Sequence, residues 1–225
     1  LRDEGLGGLV PVGKKIPSGL SSRETAAVKD VLQRLVTALG VRFGELNVEV
    51  IVGEGGVPYV LELGSRAGGN MIPVQLSDAS GVDLVAANVL CAMGEDPGDL
   101  AWDSAECEGA WATYVLHSGE GGAFEGIEKS EVMAPHVYRE VVYKEPGELV
   151  EAFDGANKAL GIEFLRFAEE AEMDEMLDGI SREIRPVVVA RAEEITLIAG
   201  GGEMDRETRQ TGDLGRVLGM CGGDS

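Results

Sequence analysis

The chain is poor in several things that would mark particular classes of protein. It has three cysteines, Cys91, Cys107 and Cys221, among 225 residues. An odd number without ligand-like spacing indicates neither a disulfide framework nor a zinc site, and a reducing, cytoplasmic setting is the simplest reading. His117 and His136 are the only histidines, and neither has the Ser or Cys context that a nucleophile–base pair needs. No apolar run approaches the roughly 20 residues of a membrane span, and Leu1 does not open a basic-then-apolar leader. Basic residues are scarce: 19 Lys and Arg against 40 Asp and Glu leave a formal charge of −21. Such a surface repels phosphate backbones and argues against nucleic acid or an anionic membrane as the main partner.

What is present is ordinary globular material, 44% apolar and 26% charged, with enough length for one large domain or two small ones. Glycine is abundant at 33 residues, about double the usual share of roughly 7%. The first residue is Leu rather than Met, which fits a piece of something longer. Leu1–Gly13 is glycine-rich, with at most one strand near Gly8–Val12. Ser21 and Glu24 then have capping-box spacing, and Val28, Val31, Leu32, Leu35, Val36 and Leu39 form one apolar stripe closed by Gly40. This predicts an amphipathic helix packed on something flat.

Leu46–Val52 and Val57–Leu63 read as two strands joined by Gly53-Glu54-Gly55-Gly56, which supplies the positive φ angles of a turn. Pro58 is tolerated near a strand start. A second helix is expected over Val82–Met93. Strands are expected at Ala112–His117, Ala123–Lys129 and Val137–Tyr143, antiparallel in a small sheet. A helix over Leu149–Leu160, a strand over Ile162–Phe167, an acidic helix over Glu169–Ile180 with Met173 and Met176 on its core side, and an apolar run at Val187–Ala190 complete the pattern. Beyond Ala199 the sequence lacks periodicity, and that tail is expected to be frayed.

The most informative feature is a pair of acids on adjacent strands. If Val52 pairs with Val57, Glu49 lies diagonal to Glu62; in the register shifted by two, Glu49 faces Glu62 directly. Both place the carboxylates on one face, with Cβ atoms roughly 4.5–8 Å apart. Like charges that close repel, and a divalent cation offsets the repulsion while keeping positions open for phosphate oxygens; a solvated strand face is the plainer alternative. Arg66 follows four residues after Glu62, offering a rigid fork for carboxylate or phosphate oxygens. Gly68-Gly69 lets backbone N–H groups approach an anion. Lys14 and Lys15 stand within reach of a nucleotide phosphate or simply on the surface.

The string LNVEVIVGEGGVPYVLELGSRAGGN, Leu46–Asn70, resembles the metal-binding hairpin of the ATP-grasp superfamily. VGKKIPSGLSSRETAAVKDVLQRLVTALGVRFGEL before it and ASGVDLVAANVLCAMGE after it are similar to the flanking helices. GIEKSE, VYKEPGELVEAFDGANKALG and FLRFA resemble the carboxy-terminal lobe of biotin-carboxylase-like members, especially carboxylate–amine ligases. The likeness runs from about Val10 to Val189. It implies that Glu49 and Glu62 bind Mg²⁺, or Mn²⁺, bridging the phosphates of ATP, with Gly68, Gly69 and Asn70 on the nucleotide side. Arg66 would be the catalytic residue, holding the transferring phosphate or the acceptor carboxylate. Many relatives carry Asn two residues after the second acid, where Gly64 stands here, and Asn70 or water is a candidate substitute ligand.

The expected fold class is α+β, an ATP-grasp-type antiparallel sheet with covering helices followed by a small β-rich lobe. Residues 1–105 would form the carboxy-terminal part of the ATP-grasp domain, 106–190 the lobe and 191–225 an acidic glycine-rich tail. The resemblance implies an ATP- and Mg-dependent ligase, here without its amino-terminal lobe, that joins small-molecule carboxylate and amine substrates through an acyl phosphate. Alternatives are a non-catalytic nucleotide- or metal-binding module that regulates a partner, and an acidic interaction domain without ligand. Partners expected are the missing lobe, the two substrates and a second copy of the chain in a homodimer.

Overall fold

A computed structural model describes residues 10–98 and 107–190. The tail expected beyond residue 190, and Cys221 in it, lie outside the described residues. The architecture is α+β and wholly antiparallel in its sheets. Chain order is β1 (Gly13–Ile16), α1 (Ser22–Leu39), β2 (Asn47–Val52), β3 (Pro58–Gly64), α2 (Ile72–Ser80), α3 (Leu84–Ala92), β4 (Ala110–Leu116), β5 (Gly122–Lys129), β6 (Val137–Val142), β7 (Leu149–Val150), β8 (Gly161–Phe167), α4 (Glu170–Leu177), α5 (Ile180–Glu183) and β9 (Ile184–Val189).

Helix α1 starts as its sequence requires. The Ser21 hydroxyl accepts from the Glu24 N–H, and the Glu24 carboxylate accepts from the Ser21 N–H at 2.9 Å. Gly40 ends the helix in the left-handed region at φ 65°. The helix lies over the β2–β3 hairpin, which forms a two-stranded sheet of its own. Its stripe is half-buried rather than buried, and Leu39 is exposed.

The remaining strands make two sheets. One has the order β1-β4-β8-β6, the other β7-β5-β9. Among the described residues the first strand is Gly13–Ile16, which pairs with β4, far along the sequence; the start of the strand expected near Gly8–Val12 lies outside the described residues, and 10–12 are not part of a strand. Val12 just before it is buried and its carbonyl accepts from the Val115 N–H. The three strands expected in one small sheet are divided: β4 and β6 flank β8, whereas β5 pairs with β7 and β9.

Two helices differ from expectation. Residues 149–160 are not helical: Leu149 and Val150 pair with β5, and a single 3₁₀ turn spans Ala156–Lys158. Asp154-Gly155 interrupts the apolar pattern, and Phe153 and Leu160 reach the core from irregular backbone. Conversely, α2 was hidden by its glycine-rich approach and by Pro73, which falls in the first helical turn where its missing N–H costs nothing. The acidic helix stops at Leu177, because Gly179 turns left-handed at φ 83° and restarts the chain as α5. Met173 is fully buried and Met176 packs against the core, as the pattern predicts.

The core lies between the four-stranded sheet, the three-stranded sheet and α4, built on Tyr114, Leu116, Phe124, Met133, Leu165, Met173 and Ile184. Strand β4 is buried along its whole length, so both faces of its sheet are covered. His117 serves this core: its Nδ1 lies 2.7 Å from the Val115 carbonyl and its ring packs on Phe153. His136 stacks on Phe167.

Because α1 buries none of its residues fully, its capping box should matter more than usual. Ser21→Ala is expected to lower the protection of the α1 amides against hydrogen exchange by about 0.5–2 kcal/mol, leaving the β4 and β8 amides unchanged.

Candidate functional site

The hairpin register decides the geometry of the two acids. Asn47 pairs with Gly64, Val48 with Leu63 and Glu49 directly with Glu62. The register then shifts, and Val50, Ile51 and Val52 pair with Val60, Tyr59 and Pro58. The extra residue is Leu61, a bulge beside the acid pair. Neither of the two simple registers holds throughout: the directly opposed one applies at the acids and is lost toward the turn.

Strand alternation assigns the faces. Val48, Val50 and Val52 are half-buried toward α1, whereas Glu49 and Ile51 are exposed. Glu62 and Tyr59, their partners, are exposed with them. The hairpin thus presents two opposed carboxylates next to an apolar shelf of Ile51 and Tyr59, flanked by exposed Leu61. Among the described residues, neither carboxylate makes a hydrogen bond or an ion pair.

Arg66 returns to this face. Gly64 lies two residues after Glu62, and a Cβ at Gly64 would stand 3.5 Å from the Arg66 Cγ. The side chain therefore folds back over the strand end, where its Nη1 donates to the Ala67 carbonyl at 2.8 Å. The glycines divide in role. A Cβ at Gly68 would meet Ile72 Cδ1 at 2.5 Å and Asn47 Oδ1 at 3.1 Å, so Gly68 lets the loop pack beneath β2. Gly69 faces open space. Asn70 and Met71 both adopt left-handed backbone, φ 52° and 55°, and feed into α2. Two consecutive non-glycine residues there are strained, which fixes the loop between Arg66 and the helix start.

The strongest addition to the sequence reading is the sorting of the two lysines. Lys14 pairs with Thr113, Thr113 with Phe164 and Phe164 with Arg139, so these four residues form one row across the four-stranded sheet. That face meets α2: Asp78 accepts from Arg139 Nη2 at 3.0 Å and from the Tyr138 hydroxyl at 3.1 Å. Burial, with the Asp78 charge behind it, pushes the Tyr138 phenol far above its ordinary range. Lys15 points to the opposite face and bonds Asp174 of α4 at 2.6 Å. Lys14 has no such partner among the described residues. Burial pulls its ammonium below the usual lysine range, and the charge it chiefly senses is Glu49. One lysine is structural, the other belongs with the acids, and only sheet pairing distinguishes them.

No family profile matches the sequence. The "Uncharacterized protein y4rH" of Sinorhizobium fredii (strain NBRC 101917 / NGR234) is 29% identical over 131 residues, 58% of this chain and 27% of that protein. The fold is similar to the crystal structure of L-amino acid ligase from Bacillus licheniformis, with a TM-score of 0.69 at 17% identity over 80% of this chain and 47% of that one. Phosphoribosylglycinamide synthetase from Anaerococcus prevotii gives 0.66 at 20% identity, covering 80% and 46%. The biotin carboxylase domain of 2-oxoglutarate carboxylase from Hydrogenobacter thermophilus, crystallised with MgADP, ADP and bicarbonate, gives 0.58 at 15%, covering 79% and 39%. The chain thus shares its fold with part of these ligase, synthetase and carboxylase structures and spans less than half of their length. No helix among the described residues is long and apolar enough to cross a membrane.

Gly68→Ala should displace Ile72 or the 65–71 loop. Overpacking of this kind costs about 1–3 kcal/mol, to be read as a lowered urea midpoint, whereas Gly69→Ala should leave the midpoint nearly unchanged.

Proposed function

We propose that this chain is the metal- and phosphate-handling part of an ATP- and Mg²⁺-dependent ligase that joins a carboxylate to an amine. The observation that carries the reading is the direct opposition of Glu49 and Glu62 on one exposed face, unpartnered among the described residues, with Lys14 and Arg66 beside them. Among the described residues no cluster of three or more acids, histidines or cysteines could hold a metal. Two carboxylates alone suit an ion that takes its remaining ligands from water and substrate phosphates, which is the habit of Mg²⁺; Mn²⁺ accepts the same oxygens. Glu49 and Glu62 would hold it, and when bound it would neutralise phosphate charge and polarise the phosphoryl oxygen.

The chain's own residues have distinct tasks in this reading. Ile51 and Tyr59 offer an apolar shelf for the nucleotide base. Lys14, poorly solvated and without an ion pair among the described residues, meets a phosphate oxygen. Arg66 faces the acceptor carboxylate or the transferring phosphate, and Gly69 leaves its N–H open to an anion while Gly68 and Asn70 hold the loop in shape. An oxygen of the acceptor carboxylate attacks the γ-phosphorus and ADP departs with the bridging electron pair. An amine then displaces phosphate from the acyl carbon, its proton passing to the leaving phosphate. Placing cations where negative charge accumulates is the main catalytic device in such transfers.

The fold neighbours named as ligases and synthetases favour this chemistry over a bare binding role, and their greater length favours a further lobe for the complete site. Titration with Mg·ATP should raise the thermal midpoint of the chain. Glu49→Gln and Glu62→Gln should each abolish the rise, and Lys14→Met should weaken binding about tenfold or more. An undiminished rise in Glu62→Gln would reject the metal role. ADP formation with an amino-terminal lobe restored then separates a ligase from a regulatory module, which binds without acid-dependent turnover.

A further inference from the structure

The half of the molecule remote from the hairpin holds a charge cluster that the proposed ligase chemistry leaves unused. Glu163 sits at the centre of β8 with no exposed surface. It pairs with Tyr114 of β4 on one side and Glu140 of β6 on the other, so all three side chains share the face turned toward the second sheet. Lys129 arrives from β5 of that second sheet: its Nζ lies 3.1 Å from Glu163 Oε1 and bonds Glu140 Oε2. Among the described residues, Tyr114, Glu140 and Lys129 are the titratable groups facing Glu163. Ile184, across from Lys129 on β9, is apolar and buried.

The charges do not balance if every group is ionised, since one ammonium faces two carboxylates. An ionised carboxylate only accepts hydrogen bonds, yet neither Glu163 oxygen receives one of good geometry. A neutral carboxyl has simpler needs: its O–H donates to Glu140, and Lys129 and Glu140 remain as a balanced pair. We propose that Glu163 and Glu140 share one proton at neutral pH, and that this proton with Lys129 bolts the two sheets together, so that alkaline pH loosens this half of the protein.

The electrostatics agree with that assignment. Burial first, then the Glu140 carboxyl opposite, pushes the Glu163 carboxyl from 4.5 up to about 8 against the opposing pull of Lys129. Glu140 is held below the usual carboxylate range, chiefly by the Glu163 carboxyl opposite it and, against burial, by Lys129. Burial pulls Lys129 down, but its two acid partners outweigh this and leave it raised. Of these shifts only that of Glu163 acts across neutral pH. The folded protein holds its proton where the unfolded chain has lost it, so the stability it contributes is complete below pH 4.5 and is lost as pH rises through about 8.

The thermal midpoint of the wild type, followed from about pH 6 to about pH 9, should fall by several degrees more than that of Glu163→Gln, which keeps a neutral donor without a titration. Infrared spectra of the wild type should show a protonated-carboxyl band at the lower pH that fades toward the upper one and is missing from Glu163→Gln. If that variant does not fold, Glu140→Gln serves instead: removing the second negative charge should move the fading of the band to lower pH. Parallel stability curves, or a band unaffected by either substitution, would overturn the proposal.

Discussion

Two like charges held face to face across a hairpin repel, and holding them there is the constraint around which the described residues are arranged. Glu49 and Glu62 occupy opposed positions, where side chains come within about 4.5–5.5 Å at Cβ. The bulge at Leu61 allows this register to coexist with a different one toward the turn, and α1 supports the hairpin from the opposite face. Arg66 folds back over Gly64 to the same side, and the left-handed pair Asn70-Met71 steers the chain from that arginine into α2. Each of these local features has one physical consequence in common, the presentation of acids and cation on a single open surface.

The four-stranded sheet links that surface to the rest of the molecule. Its strands β4 and β8 are buried on both faces, and the faces have different chemistry. One row carries Lys14, Thr113, Phe164 and Arg139 toward α2, where Asp78 ties Arg139 and Tyr138 to the hairpin half. The neighbouring row carries Tyr114, Glu163 and Glu140 toward the second sheet, where Lys129 closes the cluster. Arg139 and Glu140 are consecutive on β6, so one short strand takes part in both environments. The sheet is a partition, with Lys14 and Arg139 on one side and the Glu163–Glu140–Lys129 cluster on the other.

A formal charge of −21 is unfavourable for the polyphosphate binding proposed above, and the lysines differ in how far that charge reaches them. Lys14 is half-buried and has no ion pair among the described residues, whereas Lys15, Lys129 and Lys158 are each engaged by carboxylates. A half-buried cation acts on an incoming anion more strongly than an exposed one, because low solvation strengthens its field.

Short-range chemistry was legible from the residues. The Ser21–Glu24 box, the Gly40 stop, the Gly53–Gly56 turn and the placement of Glu49 and Glu62 on one face follow from capping, left-handed glycine and two-residue alternation, all of which act within a few residues. Where sequence reading failed, the deciding partner was distant. The run 149–160 is apolar enough for a helix, but Leu149 and Val150 are claimed by β5. The lysines at 14 and 15 are indistinguishable until β1 pairs with β4, about 100 residues away, and sends one to the acids and the other to α4. The burial of Glu163 could not be read either, since β8 looks like any strand until β4 and β6 enclose it. The sequence by itself settled the elements whose energetics are local; which side chains meet, which are desolvated and which charges stay unpaired was decided only when strands remote in the chain came together.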